Sequence, residues 1–335
     1  MMTSYEKYMA VIQGEAVDCL PRLPILMSFA ANYIGSNYGE FASDYRVLVE
    51  ANCRCAQDFD FDQVSAISDP YREASGFGAD IRFIKDGVPL CVYTPLADSK
   101  DLSRLLRPDP YKSTRMLDRI KAVESLAGKV GEELSILGWV EGPAAEAANL
   151  RGVSTFLIDL IEDPAFAHQL MDCCVEVGID FALAQLRAGA DTIGIGDAIV
   201  SQISGPMYKE LVYPHEKRLV DAIHAVGGLV RLHICGNITH HLEQIAELGV
   251  EVLDADWLVD MNKARSTVGR STVLCSNLDP VHVVQRGTPK GIMNAVKELY
   301  QQLGNPFMVG AGCEIPADTP HPNLKALCTP VPYKA

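Results

Sequence analysis

The sequence predicts an α/β fold, the TIM (β/α)8 barrel with N-terminal additions. Three observations carry that expectation. Eight short apolar runs recur along the chain, longer amphipathic stretches with recognisable helix ends separate most of them, and 335 residues exceed the roughly 250 typical of such a barrel.

The runs, in order, are PILMSFA (24–30), QVSAIS (63–68), LSILGWV (134–140), DTIGIG (191–196), LVRLHIC (229–235), VEVLDA (250–255), TVLCSN (272–277) and PFMVGAG (306–312). Each is short and apolar on both faces, as strands of a fully covered parallel sheet must be. Between them, GPMYKELVYPHEKRLVDAIHAVGG (205–228) follows Ser204, has Pro206 just inside, and stops at Gly227 and Gly228. Pro214 lacks the N–H a helix interior needs and is expected to kink or divide that helix. HHLEQIAELG (240–249) follows Thr239, and PHPNLKALC (320–328) follows Asp318 and Thr319. Strands alternating with helices imply a parallel sheet, and eight of them imply closure. The first 130 residues fit the rhythm least well. There IRFIKDGVPLCVYTPL (81–96) reads as a small hairpin excursion from a single barrel domain spanning 1–335.

Composition narrows the function. A hydrophobic content of 48% and a charged content of 21% are those of an ordinary globular chain. A formal net charge of −14 argues against a nucleic-acid groove or an anionic membrane as partner. The N-terminus lacks a basic segment followed by an apolar one, and no run approaches the roughly 20 residues that span a bilayer. A cytoplasmic protein is expected, with its ten cysteines largely reduced. Cys53-x-Cys55 and Cys173-Cys174 lack zinc-finger spacing and read as small buried hydrophobes.

In a barrel of this kind the chemistry sits where strands end and helix-bound loops begin. Those positions hold Asp69, Glu141, Asp197, His233 with Cys235, Asp256, Asn277 with Asp279, and Cys313. His233 and Cys235 are two apart on one strand, so their side chains point the same way. An isolated pair of this kind is more often a capped histidine beside a buried thiol. Cys313, ending the last strand and facing the same mouth, supplies a third ligand and shifts the balance toward zinc. Two thiolates and one imidazole leave a fourth position open, which is the catalytic rather than the structural arrangement.

The segments 189–223, HICGN (233–237), SNLDPVHVVQRGTP (276–289) and GCEIPADTPHPN (312–323) resemble the uroporphyrinogen decarboxylase superfamily. Within it they are most similar to the zinc-dependent, corrinoid-linked methyltransferase branch, which includes methylcobalamin:coenzyme M methyltransferases and relatives acting on methoxylated or methylated compounds. The likeness covers the C-terminal half well and the N-terminal half loosely. It implies a TIM barrel, in agreement with the strand count. Decarboxylases carry an arginine-rich N-terminal segment to hold tetrapyrrole carboxylates, whereas LPRLPILMSFAANYIGS (20–36) has Arg22 alone. A decarboxylase would also have histidine where this chain has Cys313. Asp69, in AISDPYREASGFG, resembles the decarboxylase's catalytic aspartate and keeps a candidate role.

The resemblance implies zinc on His233, Cys235 and Cys313, and methyl transfer between a small substrate and cobalt. A thiol acceptor would be held as thiolate, and a methyl ether would be activated at oxygen. The methylcobalamin or other corrinoid is expected on a partner protein, because no cobalamin-binding module is evident in the chain. Glu141, in WVEGP, is a candidate acid or fourth ligand, with a helix-end or Arg151 ion-pair role as the structural alternative. Asp197 is a candidate to orient the substrate or a liganding histidine, and Asp256 and Asn277 are candidates to bind substrate. Glu314 is expected to point away from the site, and His240 and His241 to be solvated or capping. Two other readings stay open: a metal-free decarboxylase, and a non-catalytic barrel that binds zinc or corrinoid. The assembly is also open, with a homodimer among the forms allowed.

Overall fold

The computed structural model describes residues 2–334. Its centre is a seven-stranded parallel sheet in the spatial order β1 (Gln63–Ser65), β4 (Ser135–Glu141), β5 (Thr192–Gly196), β6 (Leu229–Ile234), β7 (Val252–Ala255), β8 (Val273–Cys275), β9 (Phe307–Met308). A two-stranded antiparallel hairpin, β2 (Asp80–Arg82) and β3 (Leu90–Tyr93), lies outside it.

The eighth stave is a short extended segment. Leu23 N–H donates to the Val309 carbonyl at 2.7 Å and Val309 N–H to that of Pro21 at 2.8 Å, while Asp62 N–H reaches Arg22 O at 2.8 Å. Residues 21–23 thus bridge β9 to β1 and close the ring. The sequence places this strand at 24–30, which the structure corrects: a helix, Ser28–Tyr33, begins inside that run. Strand and helix are fused into one apolar stretch there, and a short apolar run carries no period to separate them.

The staves are buried on both faces, which explains their unbroken apolar character. Helices cover the outside; Pro164–Arg187 packs between Pro143–Arg151 and Tyr213–His224. Pro214 does not simply kink its helix. The turn before it, Tyr208–Val212, is a π-helix, and a regular α-helix resumes from Tyr213. Among the described residues no helix is long and apolar enough to cross a membrane.

The glycines of DTIGIG have a packing cause. The Trp139 ring from β4 lies across Gly194 and Gly196 of β5, so a Cβ at either would meet indole carbons. Gly194→Ala is expected to cost about 1–3 kcal/mol of stability by overpacking. Denaturant unfolding, with a changed tryptophan emission in the folded state, checks this.

Candidate metal centre and active site

β6 carries the site. Arg231 and His233 face the barrel interior in successive layers, and Cys235 follows at the mouth. The chain then turns at Gly236, whose φ of +94° would strain any side chain. Cys313 arrives from the loop after β9. Its neighbour Gly312 runs so close to the loop after β7 that a Cβ would stand 2.5 Å from the Trp257 backbone nitrogen.

These elements bring His233 Nε2 to 3.2 Å from Cys235 Sγ and 3.8 Å from Cys313 Sγ, with the two sulfurs 3.8 Å apart. Both cysteines are free thiols, and a disulfide needs sulfurs about 2.05 Å apart. Tetrahedral zinc with bonds of about 2.0–2.3 Å requires ligand atoms about 3.4–3.8 Å from one another. The donor set and its spacing therefore fit zinc. The three ligand atoms lie within 4.8 Å of one another and form the one such group of three or more His, Cys, Asp or Glu among the described residues.

A second layer fixes the imidazole. Asp254 stands opposite His233 in the β6–β7 register. His233 Nδ1 lies 3.0 Å from the Asp254 carbonyl and 3.4 Å from its carboxylate, which turns Nε2 toward the sulfurs. Asp254 is held in turn by Arg231 at 2.6 Å, and Arg231 also reaches Gln63 Oε1 and Leu23 O. Burial favours the neutral Asp254 carboxyl, but Arg231 and His233 outweigh it and keep the group ionised. The hydrogen bond from Cys235, with His233, lowers the Cys313 thiol to about 5, which favours its thiolate.

The cluster opens into a cavity of about 660 Å³, including its mouth, at the C-terminal ends of the strands. Asp69 and Glu141 line the same cavity. Asp69 accepts from Ser68 Oγ at 2.7 Å and pairs with Arg115. Burial pushes its carboxyl up, yet Arg115 and Arg72 together bring it below the usual range. Glu141 pairs with Arg72 at 2.6 Å and accepts from Trp139 Nε1 at 3.3 Å. Arg151, the alternative partner, pairs instead with Asp159.

The remaining sequence candidates lie elsewhere. Asp197 does not line the cavity: its carboxylate accepts the Ala144 and Ala145 N–H groups at 3.1 and 2.8 Å, capping the helix after β4. The orienting role considered for it is filled by Asp254. Asp256 accepts from Leu258 N–H, and Asn277 donates to the Asp256 and Val259 carbonyls, so both tie down the loop after β7 rather than line the cavity. His241 is buried, not solvated, with Nε2 2.9 Å from the Val200 carbonyl. Glu314 turns into the cavity and accepts the Ser28 N–H at 2.8 Å. The chain beyond β9 is no longer extended there, so strand alternation does not apply. Tyr38, which donates to the Ser68 carbonyl, and Trp139 complete the wall, and sequence pattern singled out neither.

Behind Glu141 lies an acidic cluster. Glu73 accepts the Glu141 N–H at 2.9 Å, and Glu146 sits close by with one oxygen unpartnered. Burial raises all three carboxyls, Glu141 to about 8, because Arg72 alone cannot balance three charges. Their folded-state values exceed the unfolded 4.5, so the folded chain holds protons that the unfolded chain releases. Stability from this cluster is full below pH 4.5 and is lost as pH rises toward 8. Glu146→Gln is expected to flatten that decline, changing the slope by at most about 1.4 kcal/mol per pH unit. Unfolding curves of both proteins at pH 5, 6.5 and 8 measure the difference.

Comparison with known proteins agrees with this architecture. A methylcobamide:CoM methyltransferase, MtbA, of Methanosarcina mazei is 28% identical over 337 residues, covering 97% of each chain. The protein of the same name from Methanosarcina acetivorans is 32% identical over 62% of this chain and 61% of its own. A uroporphyrinogen decarboxylase of Nostoc punctiforme is 26% identical, over 93% of this chain and 91% of the relative. Among solved structures, a methyltransferase from Methanosarcina mazei superposes with a TM-score of 0.90 over 98% of this chain and 97% of the other, at 23% identity, and so shares the fold. The Uroporphyrinogen decarboxylase (URO-D) family profile matches residues 3–331, and by that match the chain belongs to this family.

Proposed function

We propose that this protein is a zinc-dependent methyltransferase that moves a methyl group between a small thiol or methylated substrate and the cobalt of a corrinoid carried by a partner protein. The observation that carries the reading is the convergence of His233, Cys235 and Cys313 at an open cavity. The methyltransferase names of two relatives support it.

His233, Cys235 and Cys313 would hold the zinc, which supplies Lewis acidity to the sulfur or oxygen of the substrate. Asp254 keeps the His233 imidazole in the tautomer that leaves Nε2 free to ligate. Trp139, Ile67 and Ile25 form an apolar wall against which a methyl-bearing group packs. Methyl transfer is an in-line displacement, so holding the donor and acceptor in line supplies much of the rate. Glu141, protonated near neutral pH, is placed to give its proton to a departing oxygen when the substrate is an ether. Asp69 fixes Arg115 and the Ser68 hydroxyl.

The metal-free decarboxylase is the weaker reading. Arg22 is spent on Asp60, Asp62 and the Cys328 carbonyl, so it is not free to bind a tetrapyrrole acid. A non-catalytic barrel is separated from the proposed enzyme by assay. Zinc-loaded protein is expected to demethylate methylcobalamin in a thiol-dependent reaction and to contain about one zinc per chain. Absence of methyl transfer with every thiol and phenolate tried, at full zinc content, contradicts the proposal.

A further inference from the structure

The charge of the cavity wall bears on which substrates can enter. Among the described residues, none of those lining the cavity is lysine or arginine, whereas Asp69, Glu141 and Glu314 all contribute carboxyl groups. The two nearby guanidinium groups are already taken. Arg72 is fully buried and bonds Glu141 and the Asp69 carbonyl, with Glu73 at 3.5 Å. Arg115 pairs with Asp69 and the Ala42 carbonyl and stacks over the Phe83 ring. Neither can turn toward a ligand without giving up these buried hydrogen bonds. Met27, Ile67, Val88 and Trp139 make much of the remaining wall apolar.

An anionic group carried into this space would lose its water, gain no cation, and face carboxyl groups. We infer that the site takes a small methyl donor or acceptor with no negative charge beyond its reacting heteroatom, and selects against sulfonates and carboxylates. The inference rests on the methyltransferase reading and deepens it.

The test uses protein loaded with cobalt(II) in place of zinc, whose visible spectrum changes when a thiolate binds. It is titrated with four thiols that share a two-carbon spacer: 2-mercaptoethanol, cysteamine, 2-mercaptoethanesulfonate and 3-mercaptopropionate. The two anionic thiols are expected to bind at least about tenfold more weakly than the uncharged one, because the anion is desolvated with no cation to pair it. Val88→Lys brings a cation to the exposed edge of the wall, so it should narrow that ratio severalfold. Met27→Lys serves the same purpose if the first variant does not fold. Sulfonate binding as tight as 2-mercaptoethanol overturns the inference and leaves the methyltransferase reading standing. An unchanged ratio in a folded variant removes the missing cation as its cause and overturns the assignment. If none of the four thiols alters the spectrum, the open metal centre itself is refuted and the inference falls with it.

Discussion

Cys313→Ala is expected to abolish methyl transfer and to leave the purified protein without stoichiometric zinc, while its unfolding transition stays close to that of the parent stripped of zinc. Cys313 lies in the loop beyond the last strand and is only partly buried, so its removal opens little core. What it takes away is one of three donors, and His233 with Cys235 alone cannot complete a site. Loss of a group that merely orients a ligand costs about 10–100-fold in metal affinity or activity, so loss of a ligand itself should exceed that range. Zinc content by elemental analysis, beside the rate of methylcobalamin demethylation, checks both parts. Full zinc content in the variant would remove Cys313 from the centre.

Asp254→Asn ranks second in expected effect and tests the supporting layer. The carboxylate lies between Arg231 at 2.6 Å and the His233 ring, with none of it exposed. Neutralising it leaves a buried guanidinium without its counter-charge, which is expected to cost about 3–5 kcal/mol of stability. The same change loosens the His233 ring, so zinc affinity should fall about 10–100-fold in the fraction that remains folded. A purely structural Asp254 would lower stability and leave the zinc affinity of the folded fraction unchanged, so measuring the two separately distinguishes the roles.

Much of this site could be read from sequence because a parallel barrel writes itself plainly. Strands covered on both faces must be apolar, so the polar residue that ends each run marks the catalytic face. His233, Cys235, Cys313, Asp69 and Glu141 were found in that way, and the structure gathers all five around one cavity. What escaped did so for identifiable reasons. Asp254 sits inside an apolar run, where a carboxylate is tolerated because Arg231, itself two residues before His233, neutralises it. Arg72 and Arg115 come from distant helices, and no local pattern shows that they meet Glu141 and Asp69. Glu314 was misaimed by extending strand alternation past the end of the strand. The closing stave was set too late because residues 24–30 join the end of an extended segment to the start of a helix with no polar break.

X-ray absorption at the zinc edge of the purified protein tests the central claim most directly. Two sulfur ligands at about 2.3 Å, one imidazole nitrogen near 2.0 Å and one exchangeable light-atom ligand are expected. That last ligand should be replaced by sulfur when a binding thiol is added. A zinc-free protein, or a closed four-ligand shell that no thiol disturbs, would contradict it.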